Sequence, residues 1–66
     1  MKITLNGKEK QLKPSQTLTD TIGQFCKDTH RVIAEVNGSI ILSPEWANHI
    51  LRDGDCVELV NFVGGG

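Results

Sequence analysis

The sequence predicts an α+β domain: a mixed β-sheet with one main helix packed on one face. Three observations carry this expectation. Short runs such as "KITL" and "CVEL" alternate apolar and polar residues, the pattern of a strand with one buried face. Two Asn-Gly pairs follow such runs, at Asn6-Gly7 and Asn37-Gly38, where hairpin turns belong. Between them lies one segment with an apolar residue every three or four positions.

The elements follow in order. Ile3 and Leu5 share one face of the first strand, with Lys2 and Thr4 on the other. After Asn6-Gly7, "KEKQL" returns as a more polar strand reaching Leu12, and Pro14-Ser15 breaks the pattern. "TLTDTIGQFCKD" reads as a helix. Thr17 is its N-cap and Asp20 sits three residues on, close to a capping box. Leu18, Ile22, Phe25 and Cys26 form its apolar stripe, and Gly23 is expected to permit close packing. "RVIAEV" is a third strand and "SIIL" a short fourth. Ser43-Pro44 opens a brief helical turn, with Pro44 suited to its first position. "RDGD" is a tight turn, and "CVELVNFV" is the last strand. The order is ββαββ, a short helical turn, then β. To be buried, the last strand must run down the middle of the sheet, parallel to the first. That arrangement is the β-grasp fold. The expected division is a domain over residues 1–63 and a flexible glycine tail over 64–66.

With 66 residues the chain holds one domain, which buries only about 60% of its unfolded surface. That length argues against self-contained catalysis. A net charge of −1 without a basic stripe argues against nucleic acid. No apolar run is long enough for a membrane span, and "MKITLNG" lacks the apolar segment of a signal peptide, so the expected location is the cytoplasm. Cys26 and Cys56 have no metal-ligand spacing and read as reduced, buried thiols acting as small hydrophobes. Asp53-Gly54-Asp55 fits a turn rather than a calcium loop. Trp46 is expected to cap one end of the core, and His49 to be a surface residue rather than a ligand.

Strand periodicity also marks a surface. With Val57 and Leu59 facing the core, Val60 and Phe62 fall on the face of Glu58. Ile33 lies outside beside Glu35, and Ile40 is a further outward candidate. A contiguous exposed patch of Val60, Phe62, Ile33 and Ile40 points to a partner-binding face.

The sequence then closes with Gly64, Gly65 and Gly66. Three extended glycines reach about 10 Å and have no Cβ, so they suit a narrow channel in a partner. The reactive group they would deliver is the α-carboxylate of Gly66, ionised at neutral pH. A carboxylate becomes an acyl donor once its oxygen attacks the α-phosphate of ATP and pyrophosphate leaves. A sulfur, cysteine or lysine nucleophile then displaces AMP. The small domain has no cofactor of its own in this scheme; ATP and magnesium belong to the partner.

These residues resemble the ThiS sulfur-carrier family of thiamin biosynthesis, a branch of the ubiquitin-like β-grasp proteins. The resemblance rests on the "ITLNGK" opening, the "VNG" turn at Val36–Gly38, "EWANHILRDGD", and the "FVGGG" end. It implies that Gly66 is adenylated by a ThiF-like enzyme and converted to a thiocarboxylate. The sulfur comes indirectly from a cysteine desulfurase and passes on to a ThiG-like thiazole synthase. Gly65 and Gly66 match the family's Gly-Gly end; Gly64 stands where many members have another residue. The competing readings are a sulfur carrier for molybdopterin, cysteine or a secondary metabolite, a non-covalent β-grasp interaction module, and a protein modifier joined to lysines.

Overall fold

The computed structural model describes residues 1–61. Strand β1 (Lys2–Leu5) turns into β2 (Lys8–Gln11), and helix α1 (Leu18–Phe25) follows. Strands β3 (Val32–Val36) and β4 (Ser39–Ile41) form a second hairpin. A 3-10 turn (Ser43–Asn48) then leads to β5 (Cys56–Asn61). The sheet order is β2-β1-β5-β3-β4, with β1 and β5 parallel and the other pairs antiparallel. The expected fold class is therefore present, with β5 in the centre.

Both Asn-Gly pairs make the turns their chemistry favours. Asn6 and Gly7 have φ of 49° and 82°, and Asn37 and Gly38 have 51° and 87°. Two successive positive φ values give a type I′ turn, whose twist matches that of the flanking strands. Each asparagine also does a second job. Asn6 accepts from the Leu59 N–H at 2.8 Å and donates from Nδ2 to the Leu59 carbonyl at 3.1 Å. Asn37 Oδ1 accepts from the Cys56 N–H at 2.9 Å. The amides thus continue the ladder on both sides of β5 where the neighbouring strands have turned away.

Helix α1 begins as the sequence predicts. Thr17 accepts from the Asp20 N–H at 3.1 Å, and the Asp20 carboxylate accepts from the Thr17 N–H at 3.2 Å, a reciprocal capping box. Its far end differs from the expectation: the helix stops at Phe25, and Cys26 is already extended at φ −120°, ψ 133°. The buried stripe is Leu18, Thr21 and Ile22. Phe25 is at the margin, with the Lys10 ammonium 5.7 Å from its ring centroid. Thr21 is accommodated in the core because its hydroxyl donates to the Thr17 carbonyl at 3.0 Å and accepts from Gln16 Nε2 at 3.1 Å.

Gly23 does not serve close packing. A Cβ built there would meet nothing within 4 Å, and the residue is exposed. Replacing it with alanine removes backbone freedom from the unfolded chain without a clash. Gly23→Ala is expected to stabilise the domain by about 0.5–1 kcal/mol, read as a rise in the urea midpoint at unchanged slope.

The core comprises Ile3, Leu5, Leu12, Leu18, Ile22, Ala34, Val36, Trp46, Leu51, Val57 and Leu59. Trp46 closes one end of it as expected, and its indole N–H donates to the Ile41 carbonyl at 2.9 Å. The Leu18 N–H donates to the His49 carbonyl at 2.8 Å and the Leu51 N–H to the Gln16 carbonyl at 2.9 Å, tying the helix start to the segment ahead of β5. His49 is half-buried rather than fully exposed. Arg52 to Asp55 form the expected turn: Gly54 has φ 88°, Asp53 Oδ1 accepts from the Lys2 N–H at 2.8 Å, and Asp55 Oδ2 accepts from the Arg52 N–H at 2.8 Å. Among the described residues, no cluster of three or more His, Cys, Asp or Glu side chains could hold a metal ion. No helix among them is long and apolar enough to cross a membrane.

Candidate functional site

The helix and core cover one face of the sheet and leave the other open. Register decides what that open face carries. Ile33 pairs with Val60 and Glu35 with Glu58 across β3 and β5, while Glu35 also pairs with Ile40 across β3 and β4. Because Ala34 and Leu59 are buried, their neighbours Ile33, Glu35, Glu58 and Val60 point the other way. Ile33 is 45% exposed, Ile40 62% and Val60 55%. Three of the four residues assigned to the partner face are therefore brought together on adjacent strands. The fourth, Phe62, lies outside the described residues.

Leu42 joins the patch, and the sequence reading missed it. It is 66% exposed and still extended, at φ −75°, ψ 149°, so it continues the alternation of Ile40 (out) and Ile41 (in). Ile33, Ile40 and Leu42 line one shallow groove with Thr29 and His30. The signal for Leu42 was available: the run "IIL" must place its first and third residues on one face.

The two thiols differ in setting. Burial was expected of both, but Cys56 is exposed, because it precedes the buried Val57 and so falls on the open side of β5, and Cys26 is only half-buried against the core. Burial pushes the Cys26 thiol above its ordinary value by penalising the thiolate. The thiolate is the nucleophile, so a maleimide added at pH 7 is expected to label Cys56 well before Cys26, with peptide mapping as the readout.

The residues expected to carry chemistry, Gly66 with Gly64 and Gly65, lie outside the described residues, as does the 63/64 domain boundary. What the described structure contributes is the approach to them. Strand β5 is paired with β1 at Cys56 and Val57, is held by the Asn6 amide at Leu59, and pairs with β3 as far as Asn61, opposite Val32. The apolar row of Ile33 and Val60 borders that end of the strand.

Comparison with known proteins fits this geometry. The ThiS family matches residues 3–66. The sulfur carrier protein ThiS of Bacillus subtilis is 37% identical over 65 residues, covering 97% of this chain and 98% of that protein. A thiazole synthase of Paramagnetospirillum magneticum is 35% identical over the whole chain, which spans only 20% of that protein's length. A crystal structure of a thiamine biosynthesis protein (ThiS) from Geobacter metallireducens superposes with a TM-score of 0.86 at 29% identity, with all of both chains covered.

Proposed function

The chain belongs to the ThiS family, and from that premise we propose how it works as a sulfur carrier of thiamin biosynthesis. Its working group is the α-carboxylate of Gly66. A ThiF-like partner enzyme binds ATP and magnesium and positions this carboxylate against the α-phosphorus. A carboxylate oxygen attacks, pyrophosphate leaves, and the product is a mixed acyl-phosphate anhydride with AMP. A persulfide charged by a cysteine desulfurase displaces AMP through its outer sulfur, and a second thiol then attacks the inner sulfur of the resulting acyl disulfide, so that the carrier leaves as a thiocarboxylate and the two thiols end as a disulfide. A thiazole synthase takes the sulfur.

The division of labour follows from size. The domain has no room for a nucleotide site beside its core, so it acts as a cosubstrate and not as the catalyst. Its own contribution is binding and delivery. The open-face residues Ile33, Ile40 and Val60, with Phe62 beyond them, bury apolar surface against the enzyme. Gly64 and Gly65 pass through a channel too narrow for side chains. Fixing the domain in this way converts attack on ATP into an effectively intramolecular step.

The observation that carries this reading is the family match running through Gly66, past the last described strand. The test is intact-mass spectrometry after incubation with ATP, a sulfur donor and the cognate activating enzyme. The expected product has one oxygen replaced by sulfur at Gly66. Unchanged mass, with an enzyme proven active on another carrier, overturns the reading.

A further inference from the structure

The open face contains a pairing that the isolated domain does not favour. Glu35 and Glu58 are directly opposite each other on the two central antiparallel strands. Like charges at such positions are separated by roughly 4.5–5.5 Å at Cβ and destabilise the sheet. Among the described residues the ion pairs are Lys2 with Glu9 and Arg31 with Asp28, and neither includes these glutamates. The other face offers no relief: Lys8 and Lys10 of β2 pair with Leu5 and Ile3, on the helix side. Apolar side chains border the pair instead, Ile40 beside Glu35 and the Ile33–Val60 row one step along.

A sequence that breaks a local rule without a local gain does so most often where it meets something else. We propose that the open face docks a protein surface whose apolar patch is centred on an arginine, and that the Glu35–Glu58 pair is the receptor for that guanidinium. The chemistry favours arginine over lysine. A planar guanidinium presents several donors at once and can serve two carboxylates, and it is weakly hydrated enough to sit among isoleucine and valine side chains. The apolar rim excludes water, which strengthens the pairing, while the doubled negative charge steers approach. Repulsion in the free carrier becomes selectivity in the complex. This inference rests on the carrier reading above, and it names the chemistry of the activating enzyme's docking surface.

The test measures ATP-dependent pyrophosphate release by the cognate activating enzyme, with wild-type carrier, Glu35→Gln, Glu58→Gln, and Glu9→Gln as control. Glutamine keeps the shape and removes the charge. Glu9 is on the edge strand of the same face, already paired with Lys2. For Glu35→Gln and Glu58→Gln the expected result is KM for the carrier raised roughly tenfold with kcat unchanged, and a weaker dependence of KM on salt. Both variants should melt as high as wild type or higher, by roughly 2–4 °C, because the repulsion is gone. Glu9→Gln should leave KM unchanged. Equal KM and salt dependence across all four proteins overturns the proposal, as does magnesium binding to the pair by titration calorimetry, which would make it a metal site. Absence of pyrophosphate release with wild type overturns the carrier reading itself, a result distinct from either.

Discussion

A variant lacking Gly65 and Gly66 should remain folded and form no thiocarboxylate. Among the described residues the buried core runs from Ile3 to Leu59, and the deletion touches none of these, so thermal melting should match wild type. The loss is one of reach. Two extended residues span about 7 Å, so the shortened carboxylate would stop that far from the α-phosphorus of ATP. Misplacement by about 1 Å can already cost a hundredfold in rate, so product should fall to background by intact mass. A full-length chain capped as an amide at Gly66 separates reach from chemistry. It restores the length, lacks the nucleophilic oxygen, and should also stay uncharged. Sulfur incorporation by either variant would remove Gly66 from the mechanism.

Leu18→Ala should have the largest effect on stability. Leu18 is fully buried, sits in the first turn of α1, and its N–H holds the His49 carbonyl. Truncating a buried leucine costs about 2–5 kcal/mol, the transfer term plus the cavity left behind. At 0.05–0.15 kcal/mol per residue, a domain of this length has about 3–10 kcal/mol in all. The loss is therefore about half of the total at mid-range values, expected as a urea midpoint near half that of wild type at unchanged slope. Leu42→Ala is the comparison: an exposed leucine should leave the midpoint within about 0.5 kcal/mol of wild type.

The contrast between those leucines shows what the sequence discloses. Period-two alternation found both faces of β1, β3 and β5, and the Asn-Gly pairs located both hairpins, because each is a local rule with a local cause. The capping box at Thr17 was legible for the same reason. The end of α1 was not. No glycine or asparagine follows Phe25 to announce a stop, and "CKD" reads equally well as helix. Gly23 suggested packing that the structure does not have, because a glycine's neighbours are set by tertiary placement. The Glu35–Glu58 pair was hidden for a stricter reason. Each glutamate was visibly on an outer face, but their opposition depends on register between strands more than twenty positions apart. Of the site itself, Val60, Ile33 and Ile40 were read from periodicity and found exposed together, while Leu42, the last residue of the "SIIL" run, was assigned to neither face although the same alternation places it with Ile40.

The position of β5 between β1 and β3 has a consequence for how the protein is made. The ribosome delivers two hairpins first, and neither has a neighbour across the gap. A lone two-stranded hairpin is marginal in water. The sheet can close only when residues 56–61 emerge, after every other described element has been synthesised. Maturation is thus a single late event, and a nascent chain stalled before Cys56 should be as susceptible to protease as an unfolded one.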